Sequence, residues 1–126
     1  MEDKNIYVLQ DNESVGAVQI ADDVVSMIAS LAAREVDGVS AMTGNMTGEL
    51  MSRVGMKNMT KGVKVDIIEQ NVRVDLSMTV EYGYNIPAVC QKVQTKVKAA
   101  IENMTGLNVT DVNIRIAGVN MQKNKQ

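Results

Sequence analysis

The amino-acid sequence predicts an α+β fold. It is a two-layer sandwich with two helices packed on one face of a mixed four- to five-stranded sheet, in the order β-α-β-β-β-α-β. Residues 24–36 and 86–104 repeat apolar side chains at helical spacing. Residues 63–67 and 72–80 alternate apolar and polar side chains and are close enough to form an antiparallel hairpin with one buried face. Two helices with one apolar face each bury those faces economically on a common side of such a sheet.

The first half of the domain is expected to run strand, helix, strand. Residues 15–20 predict a short strand, and Asp22 and Asp23 then supply a helix cap and first-turn acids that favour the helix dipole. Gly38 suits the left-handed residue that ends a helix, and residues 39–42 predict the next strand. The apolar residues of this helix are Val24, Val25, Met27, Ile28, Leu31, Ala32 and Val36.

The second half is expected to add a long helix and a last strand. Pro87 fits the first turn of a helix, and Thr105 with Gly106 stops it. The alternation of the last strand changes phase at Thr110 and Asp111, which predicts a bulge or bend. The apolar stripe of this helix is Ile86, Val89, Cys90, Val93, Val97, Ala100, Ile101 and Met104.

With 126 residues, 45% of them hydrophobic and 22% charged, the chain has the balance of one folded domain. We expect the domain at residues 14–119. Residues 1–13 are expected to be a flexible N-terminal segment and residues 120–126 a polar tail. Residues 43–62, rich in Met and Gly, are expected to form a loop.

Composition argues against catalysis, metal binding and cofactor binding. The chain has no His, and its one cysteine, Cys90, falls on an apolar helix stripe where a buried, inert thiol is expected. The start of the chain lacks the profile of a secretory signal, and no apolar run approaches the roughly 18 residues of a membrane span. We therefore predict a non-enzymatic protein in the cytoplasm.

The net charge of −2 hides an asymmetry. Residues 1–56 hold three basic and nine acidic side chains (−6), and residues 57–126 hold ten basic and six acidic ones (+4). Such a split could steer partners or further copies of the chain into contact. The alternative, which we favour, is that the two halves interleave and their charges mix. An unpaired edge strand is a further feature on which partners could dock.

A cluster of methionines marks the loop as a candidate partner-binding segment, since flexible Met-rich surfaces adapt to protein partners. The alternative is that these side chains fold back onto the open end of the core. The candidate contact residues are Met46, Leu50, Met51, Met56 and Met59.

A basic helix face predicts a second function, RNA binding. Its residues are Lys92, Lys96 and Lys98. The sequence pI of about 5.1 and the scarcity of aromatic side chains count against nucleic acid, and lysines commonly decorate any solvated helix face.

Several phrases over residues 15–119 resemble the alkaline shock protein family, the envelope stress response proteins of Gram-positive bacteria. The resemblance implies a small cytosolic protein without known catalysis, tied to envelope stress or envelope lipid homeostasis. It also implies self-association and contact with the membrane only through a partner. The phrases are Arg34-Glu35-Val36-Asp37-Gly38-Val39, Lys61-Gly62-Val63-Lys64-Val65, Val80-Glu81-Tyr82-Gly83 with Asn85-Ile86-Pro87, Val93-Gln94, Met104-Thr105-Gly106-Leu107 and Val112-Asn113-Ile114.

Overall fold

The computed structural model describes residues 6–12, 15–42 and 62–121 of the chain. The α+β class is confirmed, with two described helices and the expected order of elements preceded by one additional strand. The elements are β1 (Ile6–Asn12), β2 (Gly16–Ala21), α1 (Asp22–Arg34), β3 (Val39–Met42), β4 (Val63–Ile68), β5 (Asn71–Glu81), α2 (Ile86–Thr105) and β6 (Asn108–Asn120).

Strand β5 is the centre of the main four-stranded sheet. β6 runs parallel to β5 along its whole length, from Asn71 to Glu81. β4 and β3 pair antiparallel with successive parts of β5, so they share its opposite edge end to end. The predicted hairpin between β4 and β5 is confirmed, with Ile68 opposite Asn71. Its turn holds Glu69 at a positive φ of 61°.

The first strand was not expected from the sequence. β1 pairs antiparallel with β2, so β2 joins a separate two-stranded sheet rather than the main one. Ile6–Asn12, which belong to the segment of residues 1–13 expected to be flexible, form this strand. Alternation explains the strand: Tyr7 and Leu9 pack against the core from one side of β1, while Ile6 and Val8, which alternate with them, are exposed.

The core lies between the apolar face of the main sheet and the two helices. α2 presents Val89, Val93, Val97 and Ile101 at four-residue spacing, and none of them is more than 3% exposed. The sheet presents alternate residues of β5, all 2% exposed or less: Val72, Val74, Leu76, Met78 and Val80. This pattern confirms the predicted burial of one strand face.

Both predicted signals at the ends of α2 are confirmed. Pro87 lies in the first turn, and Gly106 caps the C-terminus in the left-handed region with φ 79°. Asn85 is the N-cap, and its Oδ1 accepts a hydrogen bond from the Ala88 N–H at 2.9 Å.

The predicted ends of α1 need correction. Ala21 is the N-cap and makes no side-chain capping bond, while Asp22 and Asp23 both lie inside the first turn. The helix starts one residue earlier than it would if Asp22 were its cap. The two carboxylates therefore stabilise the helix through the positive end of its dipole. Its C-terminus is capped by Glu35 in the right-handed region, and Gly38 precedes β3 rather than ending the helix.

The buried face of α2 is narrower than predicted, and that of α1 is displaced, because Ala29 and Ala33 are buried in addition to the predicted residues. Val24 and Leu31 of α1 are 38% and 43% exposed, and Ile86 and Met104 of α2 are 37% and 70% exposed. These four residues lie at the margins or ends of the helix surfaces that pack in the core. The buried apolar residues of α1 are Val25, Ile28, Ala29, Ala32 and Ala33.

Candidate functional site

Strand β6 is an edge of the main sheet, because β5 lies on one side of it and no described strand lies on the other. The Val109 N–H donates to Glu102 Oε2 at 2.9 Å, and the Val109 carbonyl accepts a hydrogen bond from Lys98 Nζ at 3.2 Å. The Val112 carbonyl accepts one from Gln94 Nε2 at 3.0 Å. These partners all come from α2, so Val109 and the Val112 carbonyl point away from β5 and define the outer side of β6.

The outer side of β6 is open beyond Val112. Backbone groups of a strand point alternately to its two sides, and the register with β5 runs without a shift from Asp111 to Ile116. The N–H and carbonyl groups of Ile114 and Ile116 therefore point outward, as those of Val112 do. Within the described residues these outward groups of Ile114 and Ile116 meet no other strand. We call the outer side of residues 112–116 the open edge.

The two faces of β6 beside this edge differ in chemistry. Val112, Ile114 and Ile116 are half-buried and pack against the core on the helix side. Asn113 and Arg115 are exposed on the opposite side, which no described helix covers. An extended segment added to the open edge would therefore meet an apolar strip on one face and polar groups on the other.

A polar cluster on α2 closes the start of the outer side. Glu102 accepts a hydrogen bond from Lys98 Nζ at 2.8 Å in addition to the one from the Val109 N–H. The hydrogen bond from Lys98 has the largest effect on the pKa of Glu102, and the bond from the Val109 N–H has the next largest. Both hold this pKa below its ordinary value. The cluster ties the C-terminal half of α2 to the first residues of β6.

A groove of about 630 Å³ lies between the C-terminal end of α1 and the middle of α2. Glu35 and Lys96 pair across it at 3.3 Å, with 63% and 50% of their side chains exposed. Such an exposed pair is screened by water and contributes little to stability. The lining residues are Glu35, Val36, Asp37, Gln91, Lys92, Thr95, Lys96 and Ala99.

The predicted basic face is divided between two surfaces. Lys92 and Lys96 line the groove beside Glu35 and Asp37, whereas Lys98 lies on the other flank of α2 against β6. Lys96 and Lys98 are each engaged by a carboxylate, so the three lysines do not form one uncompensated cationic patch.

The candidate partner-binding residues of the loop lie outside the described residues. Met46, Leu50, Met51, Met56 and Met59 all fall within residues 43–61. Their role stays a prediction.

Cys90 lies at the margin of the buried stripe of α2. It packs against the core but is only partly buried, and this burial raises the pKa of its thiol. The thiol therefore has less thiolate character than a free cysteine at neutral pH. Within residues 6–12, 15–42 and 62–121, no three His, Cys, Asp or Glu side chains are grouped as metal ligands.

Two parts of these surfaces were missed by sequence reasoning. An open edge strand was expected, but not which strand it is. No local signal distinguishes it, because the central strand β5 carries the same alternation, with Arg73 and Asp75 flanking Val74. The acidic wall of the groove, Glu35 and Asp37, was also missed, because only the packing of α1 beside α2 brings it near the lysines.

None of the described helices is both long enough and apolar enough to cross a membrane.

Fold and surfaces together define a small α+β domain whose main sheet ends in an open strand. A family model matches residues 10–121, and the chain belongs to that family, the Asp23 family of cell envelope-related function. The family name abbreviates an alkaline shock protein and is unrelated to the residue Asp23 of α1. The predicted resemblance is confirmed.

The relatives agree with this assignment. The chain is 35% identical to the uncharacterized protein YqhY of Bacillus subtilis, over all of this chain and 94% of that protein. It is 33% identical to the uncharacterized protein YloU of the same organism, over 82% of this chain and 88% of that one. A stress response regulator gls24 homolog of Streptococcus pyogenes is 28% identical over 82% of this chain, which spans only 59% of that longer protein.

Solved structures give a more distant likeness. A variant of the MamM CTD aligns with 77% of this chain and 95% of its own length, at 13% identity and a TM-score of 0.48. No functional statement follows from it.

Proposed function

We propose that this protein is a non-enzymatic interaction protein of the envelope stress response, which acts through protein-protein contacts and self-association. The open edge of β6 is the observation that carries the proposal. An edge strand presents unpaired N–H and carbonyl groups in a fixed repeat, and such a row binds another extended segment by adding it to the sheet. Membership of a cell envelope-related family supports the cellular context.

The groove between the helices supports a non-enzymatic role. Catalytic acids and bases are commonly desolvated, with pKa values shifted toward their task. The ion pair that spans this groove is instead half exposed on both sides. The groove has the volume of a small-molecule pocket, but two of its charged groups, Lys96 and Glu35, pair with each other rather than converging on a common point.

Sedimentation velocity of the full chain over a hundredfold range of concentration tests self-association. We expect the sedimentation coefficient to rise with concentration, because an open edge binds by mass action. A monomer at every concentration would contradict this part of the proposal.

We also propose that the Met-rich loop contributes partner contacts through Met46, Leu50, Met51, Met56 and Met59. Deletion of residues 45–58 is expected to reduce capture of partners from a lysate while the folded domain stays intact by circular dichroism. Unchanged capture would remove the loop from the proposal.

RNA binding through Lys92, Lys96 and Lys98 has less support, because two of these lysines are paired with carboxylates and the three lie on two surfaces. Phosphate contacts weaken steeply with salt, so binding is most easily detected at low ionic strength. We expect no measurable affinity for single-stranded RNA there. A salt-sensitive complex lost in a K92A/K96A variant would restore the alternative.

The proposed location is the cytoplasm, with contact to the membrane only through a partner, and the proposed context is envelope lipid homeostasis. Fractionation of cells that carry the tagged protein tests the first point, since a partner-held protein should leave the membrane fraction when its partner is removed. Lipid extracts of cells with and without the protein test the second, and identical lipid profiles under envelope stress would contradict it.

A further inference from the structure

The open edge of β6 requires an extended occupant, and the charges beside it suggest which one. We propose that the occupant is β6 of a second copy, paired antiparallel so that Arg115 of each copy lies opposite Asp111 of the other. This inference rests on the self-association in the proposed function and assigns it a surface and a register.

The backbone fixes which residues can pair. In an antiparallel ladder, two residues exchange both hydrogen bonds only if both point their N–H and carbonyl groups at the partner strand. Val112 and Ile114 both point outward, and the Gln94 side chain, whose Nε2 donates to the Val112 carbonyl, swings aside so that this carbonyl accepts from the second copy instead. Pairing Val112 of one copy with Ile114 of the other places a two-fold axis at Asn113. Asn113 of one copy then lies opposite Asn113 of the other. The next residues in this register are Arg115 and Asp111.

The side chains favour this register over its neighbours. Asp111 pairs with Arg73 of β5 and Arg115 with Ser77, so both lie on the sheet face away from the helices. Moving the axis to Ile114 would set Arg115 against Asn113, and moving it to Arg115 would set two arginines directly opposite each other. Opposite charges stabilise a cross-strand pair, and like charges destabilise it. The register centred on Asn113 gives two opposite-charge pairs.

Both charges are available for such contacts. Within the described residues, Arg115 forms no ion pair or hydrogen bond, and Asp111 accepts one hydrogen bond, from Thr110 Oγ1 at 3.2 Å. On the other face, the half-buried Val112 and Ile114 would be covered by the same residues of the second copy. The arrangement uses one edge from each copy and closes as a dimer rather than extending as a fibre.

Charge reversal tests the register through two variants, Asp111→Arg and Arg115→Asp. In either homodimer both cross-strand pairs become like-charged, so we expect the dissociation constant to rise at least about tenfold. A mixture of the two variants restores both opposite-charge pairs in the heterodimer, which should return to within about threefold of the wild-type constant. Analytical ultracentrifugation of differently labelled chains measures all three constants.

A matched control and a second measurement separate this register from general effects of charge. Lys64→Glu reverses a charge on the same face of the sheet but two strands away from the open edge, and should change the constant by less than about twofold. Hydrogen exchange should show that the amides of Val112 and Ile114 gain protection as the wild-type protein associates. The Asn113 amide points toward β5 and should change little.

The outcomes are distinguishable. If wild-type protein associates but the mixed variants form no heterodimer, or the outward amides gain no protection, this pairing is overturned and self-association stands through another surface. If wild-type protein stays monomeric throughout, both the pairing and the proposed self-association fail. Thermal melts of each variant identify unfolding, which matters most for Asp111→Arg because it sets a second cation beside Arg73.

Discussion

Replacement of Gly38 by alanine is expected to be strongly destabilising. Gly38 has a φ of +102°, and a Cβ added there would lie 2.8 Å from Tyr84 Cδ2 and 2.9 Å from Val89 Cγ2. The backbone conformation alone costs a residue with a side chain about 1–3 kcal/mol. Forcing extra volume into this contact costs about 1–3 kcal/mol more.

Gly83 provides a matched control for the backbone part of this cost. Its φ is +101°, nearly that of Gly38, yet an added Cβ would meet nothing within 4 Å. Gly83→Ala should therefore show the conformational penalty alone. The difference between the two variants should be about 1–3 kcal/mol, which is the cost of the contact with Tyr84 and Val89.

Urea unfolding followed by far-ultraviolet circular dichroism gives both free energies. A Tyr84→Ala change should recover part of the loss in the Gly38→Ala background, because it removes one of the two obstructing groups. If Gly38→Ala and Gly83→Ala prove equally destabilising to within about 0.5 kcal/mol, the close approach of Gly38 to Tyr84 is not as described.

Three further predictions concern stability. Ile101→Ala, at a fully buried position, should lower the free energy of unfolding by about 2–5 kcal/mol, whereas Met104→Ala, 70% exposed, should change it by less than about 0.5 kcal/mol in the same urea titration. Glu69→Gly should raise the thermal midpoint of unfolding, because it removes the strain of a left-handed backbone at Glu69, about 1–2 kcal/mol. The greater entropy that glycine gives the unfolded chain offsets only about 0.5–1 kcal/mol of this gain, so a lower midpoint would contradict the prediction. The folded-state pKa of Glu102 lies below its unfolded value, so the stability it contributes is present above the unfolded pKa and is lost as the pH falls through the folded one. The stability difference between wild type and Glu102→Gln should therefore be present at neutral pH and shrink as the solution is acidified.

Local signals were sufficient to predict α2 and the hairpin. The spacing of Val89, Val93, Val97 and Ile101 and the stop at Gly106 depend only on neighbours in the chain. The start of α1 was less well determined, because Asp22 and Asp23 suit both a cap and a first turn, and only the position of Ala21 in the structure distinguishes them.

Features that depend on distant residues were beyond sequence reasoning. β1 became a strand because β2 pairs with it, and its alternation of Tyr7 and Leu9 with exposed neighbours is too short to predict a strand alone. Lys92, Lys96 and Lys98 are near each other in sequence, but the direction each takes from α2 separates Lys98 from the other two.

The extent of the open edge is set by α2 rather than by β6 itself. Near its start, α2 contributes Val89 to the contact with Gly38, on the β3 side of the sheet, and near its end Glu102 reaches the outer side of Val109. The helix therefore crosses the sheet obliquely, and its polar flank closes only the first residues of β6. Shortening Gln94 to alanine would free the Val112 carbonyl, the first group of the open edge, and should favour pairing of a further strand there.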